Sequence, residues 1–195
     1  MIHLRSAEPA DTLPVVARTD VTLRDFRRTD AEAVRRWFND EQVTADLVGS
    51  RDSFSLEDAR GWVARAMDTS NDRKWAITLG DDQAVGFVAL FGLDRQLGPE
   101  LAVLVGDPSA WGKGVAREAE RLACIEAFRT HAAHRIHAEI PATNAAAQKV
   151  VTFLGFRREG VMRRAIRRGD GAVDNEVWGL LPEEFTGWGE KPAGG

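Results

Sequence analysis

The chain has no tyrosine and a single cysteine, Cys124, among its 195 residues. One cysteine cannot form an internal disulfide, which excludes a disulfide framework and suits a reducing cytoplasmic compartment. Cys124 lies in an apolar helical pattern, so we predict a small buried core residue rather than a nucleophile. The absence of tyrosine removes one common proton donor from any site that the chain can build.

Long apolar runs and an excess of positive charge are also lacking. No run approaches the roughly 20 residues that a membrane span needs, and Arg5 and Glu8 interrupt the place where a signal peptide would be apolar. The formal net charge of −4 argues against a general nucleic-acid binder. The four histidines show no metal-binding spacing with cysteine or aspartate. We therefore predict no membrane, nucleic-acid or metal partner.

The remaining composition is that of a globular domain. Hydrophobic residues make up 44% of the chain and charged residues 29%, and this length suffices for one domain with a substantial core. Pro9 and Pro14 interrupt regular structure near the N-terminus. We predict an N-terminal extension over 1–19, a folded domain over 20–182 and a C-terminal tail over 183–195, unstructured from Gly187 onward.

The first part of the domain is predicted to hold one strand and two helices. The strand is expected over 21–24, and Thr29 with Glu32 fits a capping box that starts the first helix. The second helix is expected to start near Ser55, where an apolar stripe of helical period begins. A polar loop over 41–54 is predicted between the two helices.

The second part of the domain is predicted to hold six strands and two helices. Alternating apolar residues bounded by turn residues mark the strands, while Thr143 and Gly155 are expected to cap and close the last helix. The pattern supports an α+β fold, a sandwich with a mixed, mostly antiparallel central sheet flanked by helices. The predicted strands cover residues 74–79, 84–90, 100–105, 135–140, 157–167 and 172–180.

The most informative stretch is Trp-Gly-Lys-Gly-Val-Ala at 111–116, which follows an apolar strand and opens a helix. A glycine turn before a helix forms an anion site, because the backbone can be approached closely and the helix N-terminus favours negative charge. Phosphate or pyrophosphate is its natural ligand. The spacing matches neither the Walker A nor the dinucleotide motif. Alone, the pattern fits an ordinary helix entrance equally well.

The stretch resembles the acetyl-coenzyme A loop of the GNAT superfamily of N-acetyltransferases, in the branch of the ribosomal-protein alanine and spermidine N-acetyltransferases. The family motif Gln/Arg-x-x-Gly-x-Gly/Ala falls on Trp111, Gly114 and Ala116, with tryptophan at the first position. The resemblance covers about residues 20–182. It implies the element order strand, two helices, three strands, helix, strand, helix and two strands. Other matching segments are 23–24, 37–40, 142–145 and 153–156.

The resemblance implies acetyl-CoA as cosubstrate, with no metal. The backbone of Val103, Leu104 and Val105 would pair with its pantetheine arm as an extra strand would. Asn144 would contact the pantetheine or a bound water, although a residue at a helix start can equally be a cap. The residues implied to bind the phosphate end are Trp111, Gly112, Lys113, Gly114, Val115 and Ala116.

Glu100 is the candidate catalytic residue. It opens the strand before the glycine loop and corresponds to a glutamate that acts as a general base through water in the resembled enzymes; the alternative is an ordinary charged strand end. A positioned base contributes about 10²- to 10⁴-fold to the rate. Many family members protonate the leaving thiolate with a tyrosine, and Val151 stands at that position. A slow, coenzyme-binding module and a different acyl-CoA donor therefore remain alternatives.

The acceptor is expected to be a primary amine, on a protein N-terminus or a small molecule. The two first helices and their loop would select it, and the acidic residues Glu41, Asp46, Asp52 and Glu57 suit a cationic amine or are simply solvated. His134 and His137, at a strand start, are assigned structural roles, and a homodimer is left open. Six arginines of the last hairpin are interpreted as solvated, with an acidic partner or coenzyme phosphates as alternatives: Arg157, Arg158, Arg163, Arg164, Arg167 and Arg168.

Overall fold

The computed structural model describes residues 20–45 and 53–188, which form one sheet with helices on both faces. The predicted extension over 1–19, Asp46, Asp52 and the end of the predicted tail lie outside the described residues. The helices are α1 (Ala31–Asn39), α2 (Glu41–Thr44), α3 (Leu56–Ala66), α4 (Val115–Arg129) and α5 (Ala145–Leu154). The strands are β1 (Val21–Asp25), β2 (Arg73–Leu79), β3 (Ala84–Phe91), β4 (Glu100–Val105), β5 (Ile136–Pro141), β6 (Arg157–Arg168) and β7 (Gly171–Leu180).

The strands pair in the order β1-β2-β3-β4-β5-β7-β6, and each neighbouring pair is antiparallel except β4 and β5. β4 pairs with β3 along its whole length, whereas its parallel pairing with β5 is confined to Glu100 opposite His137. Beyond this pair the two strands separate and leave an opening in the middle of the sheet. The predicted mixed, mostly antiparallel α+β fold and its element order are confirmed, with the short α2 added.

Each face of the sheet carries its own hydrophobic cluster, because strand side chains alternate between the faces. Val88 and Leu90 of β3 pack with residues of α4 and α5, while Phe87 and Ala89 pack with residues of α1 and α3. The central strands are therefore covered on both sides. This explains why β2 and β3 are near-continuous runs of buried residues rather than alternating ones.

The start of α1 differs from the prediction. Thr29 is not its cap, since a 3-10 turn occupies Arg28–Asp30 and the helix begins at Ala31. The carboxylate of Asp30 accepts the backbone N–H of Arg27 at 2.7 Å and two bonds from the guanidinium of Arg24, both at 2.8 Å. Asp30 therefore stands at the N-cap of α1, but its buried carboxylate bonds β1 and the 3-10 turn instead of capping the helix.

Two other local predictions need correction. Asn144 rather than Thr143 caps α5, and its Oδ1 accepts the N–H of Ala147 at 3.0 Å. The predicted polar loop over 41–54 begins with the helix α2, because Asp40 caps it by accepting the N–H of Gln42 at 2.9 Å. Ser55 starts α3 and Gly155 ends α5 in a left-handed conformation, as predicted.

The prediction that the chain is unstructured from Gly187 is wrong for its first two residues. Phe185 is buried, and Trp188 packs on it with ring centroids 5.1 Å apart. Arg121 of α4 donates to the carbonyl of Gly187 at 3.0 Å. These contacts cover the outer side of α4. The sequence did not predict them, because the aromatic residues of the tail are isolated and follow no periodic pattern.

Helix α4 carries an acidic side chain into the core. Glu120 is buried, its Oε2 has no hydrogen-bond partner in the described part of the chain, and desolvation raises the pKa of its carboxyl to about 8. Cys124, one turn further on, is buried as predicted, and burial with the neighbouring Glu120 raises the pKa of its thiol well above the ordinary value. Glu120 is therefore protonated at neutral pH.

We expect Glu120 to make the folded state less stable as the pH rises. Because its pKa is higher in the folded than in the unfolded chain, the folded state binds more protons between about pH 4.5 and about pH 8. The stability contribution is complete below this window and is lost across it. Urea unfolding across the window should show a smaller fall in the free energy of unfolding for Glu120→Gln than for the wild type. The control is Glu126→Gln on the same helix, and an equal pH dependence in wild type and Glu120→Gln would contradict the prediction.

Candidate active site

The glycine loop between β4 and α4 exposes its backbone. Gly112 and Gly114 have φ angles of 69° and 76°, in the left-handed region that favours glycine. A Cβ atom added at Gly112 would meet nothing within 4 Å, so this backbone is open on the outside. The loop starts with a 3-10 turn over Pro108–Ala110, capped by Asp107, whose carboxylate accepts the N–H of Ser109 at 2.9 Å.

Trp111 fixes the loop to the end of β4. Its indole Nε1 donates to the carbonyl of Val105 at 2.7 Å, while the side chain remains 41% exposed. The first position of the loop motif therefore has a structural function that a large ring with one N–H can fill.

The loop places the N-terminus of α4 at this end of the sheet. The helix starts after Gly114, which has no side chain to cap it, and the hydrogen bond from the N–H of Glu118 to the Gly114 carbonyl is 3.1 Å. The amides of Val115 and Ala116 precede this bond and lie in the first turn, where the helix dipole favours an anion. In the same turn, the guanidinium of Arg117 lies 4.9 Å from the ring centroid of Phe153 on α5. Phosphate binding at this loop stays a prediction.

An open strand edge adjoins this loop. The N–H of His137 donates to the carbonyl of Pro99 at 3.0 Å, and Glu100 opposite His137 is the last paired position between β4 and β5. Val103, Leu104 and Val105 follow on β4 with β3 as their ladder partner. Their edge toward β5 is thus available to the backbone-like amides of an extended ligand. The pantetheine placement remains a prediction.

A row of polar side chains crosses the sheet beside the opening. Leu104 belongs to the cluster of α1 and α3, so strand alternation puts Glu100 on the same face as these helices. His137, its register partner, shares that face, as does Glu139 two residues along β5. Asn175 of β7 donates to Glu139 at 2.8 Å. The candidate base Glu100 therefore lies in a polar, half-buried setting rather than on an exposed strand end.

Helix α1 reaches the same end of β4. The indole of Trp37 is buried directly on Gly106, where an added Cβ would overlap the ring. Only glycine can accept this approach, and the contact sets the distance between α1 and the glycine loop. The segment that the sequence assigns to the acceptor thus lies next to the segment assigned to the donor.

Hydrogen bonds hold the described residues on either side of 46–52, between α1 and α3. Asn39 donates to the carbonyl of Phe54 at 2.7 Å and accepts its N–H at 3.0 Å, so one side chain closes the segment like a strand pair. At the end of α2, Arg168 of β6 donates to the carbonyl of Ala45. Of the acidic residues proposed to attract a cationic amine, Glu41 and Glu57 are exposed.

The other predicted site residues have mixed outcomes. Asn144 uses its Oδ1 as a helix cap, which was one of its two predicted roles. Val151 is buried in the core against the sheet and has no proton to give. On the edge strand β6, Arg157 pairs with Glu184 and Arg158 with Glu176, each at 2.9 Å. Two of the six arginines are thus ion-paired inside the chain rather than only solvated.

Three features of the site have no signal in the linear sequence. They are the pairing of Glu100 with His137, the contact of Trp37 with Gly106, and the clamp made by Asn39. Each joins residues from separate elements. Within 20–45 and 53–188, no group of three or more histidine, cysteine or acidic side chains is arranged to hold a metal ion. No helix in those ranges has the length and apolar character to cross a membrane.

Comparison with known proteins identifies the class to which this fold and site belong. Residues 20–157 match the acetyltransferase (GNAT) domain. The chain belongs to the GNAT family of acetyltransferases, enzymes that depend on acetyl-CoA as acyl donor. The resemblance that the glycine loop indicated is confirmed.

Individual relatives match this chain over most of their own length. An uncharacterized N-acetyltransferase, YnaD of Bacillus subtilis, is 25% identical over 164 residues, 84% of this chain and 95% of YnaD. A GNAT-family acetyltransferase from Bacillus anthracis superposes with a TM-score of 0.74 at 26% identity, over 86% of this chain and 98% of that one. Spermidine N-acetyltransferase from Vibrio cholerae, solved with CoA and spermine, gives a TM-score of 0.77 at 18% identity, over 85% and 98%.

Proposed function

We propose that the protein transfers an acetyl group from acetyl-CoA to a primary amine by direct attack of the amine on the thioester. The observation that carries the proposal is the course of β4. It begins with Glu100, parts from β5 at once, and ends at a glycine loop that presents a helix N-terminus. A carboxylate, an open strand edge and an anion site thus follow one another along a single strand.

The acetyl-CoA donor would lie along the edge of β4. The pyrophosphate would bind at Trp111, Gly112, Lys113, Gly114, Val115 and Ala116, where exposed backbone amides meet the dipole of α4. The pantetheine arm would extend along Val103, Leu104 and Val105 into the opening between β4 and β5. Neither part needs a metal ion. The V. cholerae relative, solved with CoA, supports a coenzyme site in this fold.

Glu100 would supply the base. An amine attacks only when neutral, and a lysine-like or polyamine nitrogen with an ordinary pKa near 10.4 is almost fully charged at neutral pH. Glu100 would take one proton from the ammonium through a water, after which the C–N bond forms and the C–S bond breaks. The second N–H proton ends on the thiolate, and Glu100 releases its proton to solvent. The net products are amide, coenzyme A and one proton.

The acceptor would approach from the side of α1 and α2. Trp37 links α1 to the end of β4, and the exposed carboxylate of Glu41 offers a charge partner for a cationic amine. The V. cholerae relative was solved with spermine, a polyamine, which makes polyamines a first choice of substrate. A protein N-terminal amine is the second choice.

Acetyl-CoA should stabilise the protein against heat. A ligand at about 100 times its dissociation constant adds roughly 2.7 kcal/mol to the free energy of unfolding, which raises Tm by about 5–10 °C for a chain of this size. Thermal unfolding with saturating acetyl-CoA measures this shift. ATP, which has phosphates and adenine but no pantetheine arm, is the control ligand. An unchanged Tm at millimolar acetyl-CoA would mean that the glycine loop does not bind the coenzyme and only begins the helix.

A coenzyme-binding module with little turnover is the second candidate, favoured by the buried Val151 and by the absence of tyrosine from the chain. The two candidates are separated by release of free thiol from acetyl-CoA with spermidine and with a peptide that has an N-terminal alanine. Thiol release with either amine supports the enzyme. A Tm shift without thiol release supports the module.

A further inference from the structure

His137 has a side-chain nitrogen without a partner at the point where the sheet opens. Its Nδ1 is buried and makes no hydrogen bond within the described residues. A buried polar atom that stays unpaired costs about 1–3 kcal/mol, so such atoms are normally paired. The sequence assigned His137 a structural role, but its one buried nitrogen is not used by the fold.

The neighbour of His137 is the candidate base. Glu100 is its register partner across the parallel pair, and paired strands lie about 4.8 Å apart. The two side chains stand on one face of the sheet, and no direct hydrogen bond joins them. On this face α1 packs mainly on β3, and α3 packs mainly on β2. These two helices therefore lie mainly over β2 and β3 and not over β5. A water molecule can bridge a carboxylate and an imidazole that do not bond directly.

We propose that His137 is a positioning residue for acetyl transfer, which holds the water through which Glu100 takes up the acceptor's proton. This inference rests on the proposed function. The water donates one hydrogen to the carboxylate of Glu100 and the other to Nδ1 of His137. Its oxygen lone pairs are then directed at the N–H of the incoming ammonium. The ammonium proton passes to the water, and a water proton passes to Glu100; His137 takes up no proton in this step.

Two substitutions separate this role from packing. His137→Ala removes the acceptor for the water, whereas His137→Asn places an amide oxygen near the position of Nδ1. With spermidine or the alanine peptide as acceptor, His137→Ala should lower kcat by about 10- to 100-fold with the KM for acetyl-CoA unchanged. His137→Asn should recover most of this loss. The control is His134→Ala. His134 is exposed and precedes β5, so this variant should retain wild-type kcat.

The double variant Glu100→Gln with His137→Ala tests whether the residues act as a unit. Groups that hold one water should give a double variant no slower than the worse single variant, whereas independent groups multiply their losses. Multiplied losses, or equal kcat for His137→Ala and wild type, overturn the role of His137 while leaving the proposed function intact. If Tm falls equally in His137→Ala and His137→Asn and kcat does not separate them, the residue is structural. Absence of thiol release by the wild-type protein overturns both proposals.

Discussion

Replacing Glu100 with glutamine should lower kcat by about 10²- to 10⁴-fold and leave the dissociation constant of acetyl-CoA unchanged. Glutamine keeps the size of the side chain and one acceptor oxygen but cannot take up a proton, so base catalysis is removed. Glu100 stands at the start of β4, whereas the proposed phosphate site follows the end of that strand. Binding and rate should therefore respond separately. Steady-state thiol release gives kcat, and isothermal titration with acetyl-CoA gives the affinity.

The control for this variant is Glu183→Gln. Glu183 lies in the turn after β7 and is exposed, so the same chemical change should leave kcat near the wild-type value. Equal rates for Glu100→Gln and wild type would show that the amine needs no base at this position. A parallel loss of affinity and rate would instead place Glu100 in the coenzyme site.

Replacing Gly114 with glutamate should weaken acetyl-CoA binding by about 100-fold or more. Gly114 has a φ of 76° and is the N-cap of α4. A carboxylate there would occupy the positive end of the helix dipole and repel the pyrophosphate, and a loss of about 2.8 kcal/mol corresponds to a hundredfold change in Kd. Isothermal titration with acetyl-CoA measures the change.

Strain must be separated from charge in this variant. A non-glycine residue in the left-handed region costs about 1–2 kcal/mol of stability at any position. Gly80, in the hairpin turn between β2 and β3, has a φ of 66° and open space around it. Gly80→Glu should therefore lower Tm similarly but leave acetyl-CoA affinity unchanged, and Gly114→Ala should lose much less affinity than Gly114→Glu. Unaltered affinity in Gly114→Glu would contradict the placement of the phosphate site.

Predictions from the sequence succeeded where the determining contacts are local. Ser55 begins α3 because its side chain bonds within three residues, to Asp58. The glycine loop and its helix are likewise contiguous. The prediction at Thr29 failed because Asp30 is bound by Arg24 from a different element, and a charged tertiary contact outweighed the local capping pattern. Trp188 was misassigned because its partner Phe128 lies on a distant helix.

The candidate site was predictable in part for the same reason. The glycine loop could be found from one strand and the turn that follows it, and Glu100 was selected from the resemblance to the family. His137 could not be found in this way, since its proposed role depends on a strand pairing that stops after a single position. A histidine at a strand start has no distinguishing local pattern. The contact of Trp37 with Gly106 similarly depends on how a helix crosses a strand, which no sequence period encodes.

Trp111 gives the protein a built-in optical probe. Because the chain has no tyrosine, its ultraviolet emission comes from its six tryptophans, of which Trp37 and Trp75 are buried. Among these tryptophans, Trp111 is exposed, and it begins the loop proposed to bind the coenzyme. A ligand that displaces water from this ring changes its fluorescence directly. If the coenzyme binds at this loop as proposed, its binding should therefore be measurable in the unlabelled protein by tryptophan fluorescence.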